Sequence, residues 1–265
     1  MAQFIGIAGD FQKQRALNRR SRALIGFMIG LYIFGSAMGV CLGFSIGRRG
    51  FVGLALEVAA MLVAIPAFVI FKKRFDSYLR LARAEEDGAD GEREIIPYLK
   101  GLPDTYTVVS DLDFADSYGN IDHLVIGPTG LYAIDVKNWK GTVAADGKGE
   151  LLLNGKPTDK PQVRYFIRRT MELKDRLVAL TKLDPYIRAL FVFPRTHIQA
   201  KWGTTGHVHC LHVEQLADYL TSGNGGTPIA AGDMSRLVAA AKALKDAVSV
   251  SPAVESQVGM PPPIH

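Results

Sequence analysis

Two long stretches with almost no charge decide how this chain can be divided. From Ala23 to Gly47 there are 25 residues without a charged side chain, and from Phe51 to Phe71 another 21 interrupted only by Glu57. A helix of about 20 apolar residues crosses a hydrocarbon core of about 30 Å, so each stretch is long enough to span a bilayer. A cleaved signal peptide does not account for them, because the first stretch is too long and a second follows at once. They read as a two-helix transmembrane hairpin with spans at 23–47 and 51–71. Flanking charge orients it: Lys13, Arg15, Arg19, Arg20 and Arg22 precede the first span, Lys72, Lys73, Arg74, Arg80 and Arg83 follow the second, and the turn offers only Arg48 and Arg49. The basic flanks belong on the cytoplasmic side. The expectation is a two-pass protein of the inner (plasma) membrane, with a basic arm at 1–22, both termini and the soluble part all cytoplasmic.

The formal charge of +5 has to be divided before it means anything. Residues 1–83 carry 12 Lys/Arg and 3 Asp/Glu, a net of +9, whereas residues 84–265 carry 19 and 23, a net of −4. The basic excess belongs to the flanks of the hairpin, where it sets topology and attracts anionic lipid. It is not a reason to expect a nucleic-acid partner. The two cysteines, Cys41 in the first span and Cys210 in the soluble part, imply no disulfide framework and suit a reducing compartment. Gly35, Gly39, Gly43 and Gly47 recur every four residues, with Gly26 and Gly30 spaced likewise upstream. Such a stripe lets another backbone approach closely. Packing against the second span is the simpler reading, and a homodimer through the first span is the other. Glu57 is costly in lipid and is expected to face the helix pair or snorkel outward.

Beyond the hairpin, residues 72–90 read as a charged helical linker ending in E-E-D-G-A-D. A soluble domain is expected over 91–248, and a Pro-, Ser- and Val-rich tail at 249–265 reads as disordered. Glu92–Lys100 reads as a short helix that Pro97 disturbs. Strands are expected over Thr105–Leu112, Asn120–Ile126 and Leu131–Lys137, the last two joined by the turn G-P-T-G. Short strands at Thr142–Ala145 and Leu151–Leu153, a helix at Pro161–Leu180, apolar strands at Ile187–Phe193 and His207–Val213, and two closing helices complete the order. That order implies an α/β domain with a mixed sheet flanked by helices.

The chemistry is concentrated between Gly119 and Gly141, G-N-I-D-H-L-V-I-G-P-T-G-L-Y-A-I-D-V-K-N-W-K-G. Strand alternation puts Asp135 and Lys137 on one face, and hairpin pairing of the two strands brings Asp122 toward Asp135. Two carboxylates presenting oxygens to one small cavity suit magnesium or manganese, hard ions that keep several waters. Lys137 can hold a water or stabilise developing negative charge. Glu92 can assist through a bound water or by orienting Lys137. The order Gly91-Glu92, then Asp122, then I-D-V-K at 134–137 resembles the PD-(D/E)xK nuclease superfamily. More narrowly, over about residues 88–200, it is similar to the nuclease-related domain (NERD) family. The resemblance implies a restriction-endonuclease-like core and a role in DNA processing, with Asp122, Asp135 and Lys137 as the catalytic set, Asp122 and Asp135 as metal ligands, and Glu92 in support. Two departures stand out: Asp135 occupies a position where many members carry Glu, and D-K-P-Q-V-R replaces the Asn-Pro-x-x-Gln opening of the next helix, leaving Gln162 displaced.

Each residue also has a simpler reading. Asp122, Asp135 and Lys137 can form a salt-bridged cluster at a sheet end or a vestigial site, and Glu92 can serve only the first turn of its helix. Lys160, Arg164 and Arg168 recur every four residues, with Arg169 and Arg176 nearby, and suit a phosphate-tracking surface or a solvated helix face. Trp139 can stack on a base or pack on the sheet end. His123 is expected to shape the cavity. His207 and His209 share one strand face while Cys210 and His212 share the other, so they do not converge on a zinc ion. The leading expectation is a membrane-tethered, magnesium-dependent nuclease acting on DNA. The alternative is an inactive module on the same anchor that binds nucleic acid or protein.

Overall fold

The computed structural model describes residues 1–6, 10–47, 51–113, 119–199, 208–223 and 225–249. Over 40–57 it describes the backbone of the helices but not their side chains, which leaves Gly43, Gly47 and Glu57 undescribed. The hairpin turn at 48–50, His207 and the tail after Ser249 also lie outside the described residues. The chain divides into two compact units, residues 11–87 and residues 1–10 with 88–265.

The first unit holds α1 (Asp10–Gly47) and most of α2 (Phe51–Lys100). The Phe27 ring lies 6.0 Å from Phe71 and 5.1 Å from Phe75, while Phe34 lies 6.1 Å from Phe68. Position advances on one helix as it recedes on the other, so the pair is antiparallel. Arg20 and Glu86 form an ion pair near its open end. Among the described stripe glycines Gly30 meets α2, since a Cβ there would lie 3.1 Å from the Phe71 ring. Among the described residues nothing comes within 4 Å of a Cβ built at Gly26, Gly35 or Gly39. Leu24, Ile25, Met28, Ile65 and Ile70 all leave more than half of their surface uncovered. Among the described residues, no helix is long and apolar enough to cross a membrane.

The second unit contains β1 (Gln3–Ile5), the end of α2, β2 (Thr107–Leu112), β3 (Ile121–Gly127), β4 (Gly130–Val136), β5 (Gly141–Ala145), β6 (Leu151–Leu153) and β7 (Lys156–Pro157). After these come α3 (Gln162–Thr181), β8 (Ile187–Phe193), β9 (Thr196–Ile198), β10 (Val208–His212), α4 (Leu216–Thr221) and α5 (Ala231–Ser249). Six strands form a mixed sheet in the order β1-β2-β3-β4-β8-β10. β2, β3 and β4 pair antiparallel, while β8 runs parallel to both β4 and β10. A smaller sheet runs β7-β6-β5-β9. The β3–β4 turn closes between Gly127 and Gly130, and Gly130 takes φ +145, a backbone state costly for a residue with a Cβ.

Side-chain alternation along β4 separates two cores. Leu131 and Ala133 join the cluster that includes Phe166 and Leu173 of α3 and Leu237 of α5. Tyr132, Ile134 and Val136 join the cluster that includes Ile95 and Leu99 of α2 and Leu216 of α4. The sheet is therefore sandwiched between helices, as the α/β reading expects. α3 buries Val163, Phe166, Thr170, Leu173 and Leu177, a stripe at spacings of three and four. Its start is held by Glu150, whose carboxylate accepts the Val163 and Arg164 amides at 3.0 Å each, a favourable place for negative charge.

Three features differ from the sequence-based expectation. The linker at 72–90 and the helix at 92–100 belong to one continuous α2 that accommodates Gly88, Gly91 and Pro97. Pro97 removes one backbone donor close to the helix end, and Gly101 donates to its carbonyl to finish the turn. The N-terminal arm is not wholly a basic tail: Gln3–Ile5 pairs in parallel with Thr107–Val109, and its side chains contribute Phe4 to one core and Ile5 to the other. β7 and β9 also extend the short β5–β6 pair into a separate sheet.

Candidate active site

The carboxylates meet where β3 and β4 part. The last ladder pair at this end is His123 with Ile134, so the next step sets Asp122 across from Asp135. Opposed residues on an antiparallel pair point to the same face. Val136 instead donates its amide to Asp122 Oδ2 at 2.7 Å, so the aspartate side chain takes the place of a backbone partner. On the other side β4 stays paired, with the Lys137 amide donating to the Val192 carbonyl at 2.9 Å. Splayed on one flank and held on the other, the strand end presents both aspartates toward the α3 layer.

Asp122 is 4% exposed and Asp135 2%. Lys137 Nζ lies 2.6 Å from Asp135 Oδ1, and the Arg169 guanidinium from α3 is ion-paired to Asp135 Oδ2. Arg169 also donates to the Asn120 carbonyl. Beneath the cations lie aromatic rings: Lys137 Nζ is 5.5 Å from the Phe191 ring centre, and Arg169 is 5.3 Å from that of Phe166. The rings limit water on that side, which strengthens the ion pairs.

The two carboxyls are driven apart in acidity. Burial, then the charge of Asp135, pushes Asp122 up to about 7, against the opposing pull of Lys137, the Val136 amide and Arg169. For Asp135 burial also acts upward, but Lys137 and Arg169 outweigh it and hold the carboxyl below its ordinary value. Two buried oxygen-donor groups that repel each other suit a hard divalent cation, which binds through one or two carboxylates and retains waters. Among the described residues no group of three His, Cys, Asp or Glu side chains converges as a ready-made cage. Asp122 and Asp135 therefore fit magnesium in donor type, with Arg169 already engaging one of the Asp135 oxygens.

Gly91, next to Glu92 on α2, lies against Asn138 at the same strand end. Glu92 is fully buried and shares a helix face with Ile95 and Leu99. Gly91 permits the approach of α2, because a Cβ there would lie 2.6 Å from Asn138 Cβ, one residue beyond Lys137. The structure brings Asp122, Asp135 and Lys137 together with Arg169, and it buries Glu92 on α2.

Other candidates sort plainly. Lys160, Arg164 and Arg168 are exposed. The Trp139 ring packs 5.8 Å from that of Phe193, which favours its packing role over stacking on a base. Alternation turns His123 away from Asp122. It bonds Ser110 Oγ at 2.9 Å through Nδ1, and burial, then Lys245, pushes it down to about 3, so it is neutral. His209 Nδ1 lies 2.6 Å from the Tyr219 hydroxyl, and Cys210 is buried. Gln162 is the first residue of α3 and half-buried.

The sequence places Arg169 only beside the basic surface, and its pairing with Asp135 is what the structure adds. Its signal lies in the α3 stripe: it stands three residues after Phe166 and four before Leu173, on the buried side, whereas Lys160, Arg164 and Arg168 face solvent.

Residues 87–194 match the family model of the nuclease-related domain, NERD. No curated protein and no solved structure matches the chain.

Proposed function

We propose that the nuclease-related domain at 87–194 hydrolyses phosphodiester bonds in DNA at the Asp122–Asp135–Lys137 site, with magnesium or manganese as cofactor, and that the 11–87 helix pair tethers it to the cytoplasmic face of the membrane. The observation that carries the catalytic reading is the pair of buried carboxylates set opposite each other at a splayed strand end, with a lysine 2.6 Å from one of them. When bound, a magnesium ion supplies Lewis-acid polarisation of the phosphoryl oxygen. Asp122 and Asp135 hold it. Lys137, positioned by Asp135, offers its ammonium to the negative charge that develops during cleavage. Glu92, buried on the neighbouring α2, supports the set. The test is cleavage of linear DNA by the full-length chain in magnesium, compared with the same assay in EDTA. Equal cleavage in EDTA would sink the metal-dependent reading.

The basic face of α3 supports a DNA substrate. Exposed Arg164 and Arg168 lie on the same helix that sends Arg169 into the site, and exposed Lys160 stands two residues before its start. Replacing all three with alanine is expected to weaken DNA binding with little dependence on sequence, and to reduce the salt slope by roughly 2–3 phosphate contacts. An unchanged slope in a fluorescence-anisotropy titration would return these residues to a solvated helix face.

Connectivity supports the tether. β1 precedes α1 and α2 runs into the sheet unit, so both ends of the helix pair lead into that unit. A pair of crossings would leave both on one side, in agreement with the flanking charge. The uncovered apolar side chains of α1 and α2 are of the kind lipid would cover. The full chain is expected to stay in the membrane fraction after alkaline carbonate washing. Release into the supernatant would contradict a spanning hairpin.

The Arg169–Asp135 ion pair favours a second reading, a domain that binds DNA without cutting it. That reading expects salt-dependent binding with no cleavage in any divalent cation.

A further inference from the structure

We propose that Arg169 is a built-in counter-ion that competes with the divalent cation for Asp135, so that the site binds its metal only at the cost of displacing a guanidinium. The proposal rests on the metal-dependent reading of the site and adds a residue that regulates it. Arg169 approaches from α3, 34 residues further along the chain than Asp135, and pairs with Oδ2 while Lys137 takes Oδ1. Both oxygens of the carboxylate are thereby engaged by cationic donors. Asp122 has one oxygen committed to the Val136 amide. Asp135 is then fully engaged by two side-chain cations before any metal arrives.

A dication placed between Asp122 and Asp135 would sit beside both. Little water can screen the repulsion, since the Arg169 side chain is 11% exposed and rests over the Phe166 ring. Arg169 is not fully satisfied where it stands: Nη1 donates to the Asn120 carbonyl, but its Nε is buried with no hydrogen-bond partner. A buried guanidinium with an unused donor has a reason to move when a better acceptor is offered, and a phosphate oxygen is such an acceptor. DNA then brings both the negative charge that offsets the metal and a new partner for Arg169, which ties cation binding to the presence of substrate.

The test is Mn2+ binding to the full-length chain without DNA, read from the free-ion electron paramagnetic resonance signal. Arg169→Gln is expected to bind Mn2+ about ten-fold or more tightly than wild type, since one neighbouring charge shifts the cation affinity of a carboxylate by an order of magnitude or more. Asp135→Asn is expected to lose the site in either background. Unchanged or weaker binding by Arg169→Gln overturns the proposal, as does a failure of both proteins to bind. If Asp135→Asn binds as well as wild type, the ion is elsewhere and the metal reading of the site falls with the proposal. If only the Arg169 effect is missing while Asp135→Asn abolishes binding, the site stands and the counter-ion role alone is wrong. Should Arg169→Gln fail to fold, Arg169→Lys, a single-point donor on a shorter reach, is expected to show a smaller gain in affinity, and no gain there also overturns the proposal.

Discussion

Asp135→Ala is expected to abolish magnesium-dependent DNA cleavage and, at the same time, to cost the fold about 3–5 kcal/mol. Both effects have one origin. Asp135 is the common partner of Lys137 and Arg169, whose side chains are 17% and 11% exposed above the rings of Phe191 and Phe166. Removing the carboxylate leaves two poorly hydrated cations that have lost their direct ion-pair partner, with only Asp122 nearby. Lys137 also loses the contact that positions it, and a divalent ion loses one of its two carboxylates. Chemical denaturation and a cleavage assay on the same preparation check the prediction. A variant that unfolds at the wild-type denaturant concentration would show that the ion pairs contribute little. One that still cleaves at the wild-type rate would remove Asp135 from the catalytic set.

Asp122→Asn is expected to do the opposite to the fold while also ending cleavage. Burial, then Asp135, raises the Asp122 carboxyl from 3.8 to about 7. Between those values the folded chain holds a proton that the unfolded chain has released. Stability therefore falls as pH rises from about 4 to about 7, and the deficit persists above that range. Asparagine has nearly the same shape, cannot ionise, and keeps an oxygen for the Val136 amide. At about 1.4 kcal/mol for each ten-fold change in acidity, the gain at pH 8 in EDTA is expected to be on the order of 2–4 kcal/mol, with almost none at pH 4. Asp135 titrates on the other side of the window: its carboxyl is held below 3.8, so its contribution is lost only as pH falls into the acid range. Urea unfolding at the two pH values separates the cases. A destabilised Asp122→Asn at pH 8 would mean that the Asp122 charge is well accommodated and carries no penalty. A gain of stability on losing function is the pattern expected where a site is strained for its chemistry.

Much of the site was legible from local pattern. Asp135 and Lys137 share a face because strand side chains alternate, and the G-P-T-G turn sets the hairpin that carries Asp122 back opposite Asp135. The match at 87–194 falls on the same residues. Arg169 was not legible as a member of the site. Its pairing with Asp135 depends on how α3 packs on the sheet through Phe166 and Leu173, and four basic residues near one helix start look alike in sequence. That Glu92 is buried in the α2 layer, on the helix face that carries Ile95 and Leu99, follows only from the packing of α2 on the sheet. The strand at Gln3–Ile5 is too short for periodicity to announce, and it exists because the edge of β2 is there to pair with it.

By itself the sequence pointed to an apolar helical segment and an α/β domain, and it brought forward the two aspartates and the lysine as candidates. These follow from runs of like residues and from repeats of two or four positions, which are local properties. The tertiary structure decided which charges balance which. It placed Arg169 on Asp135, drove the two aspartates to different acidities, and set Gly91 against Asn138. The reason is physical: the strength of a charge depends on burial and on neighbours from other elements, and neither exists until the layers have packed.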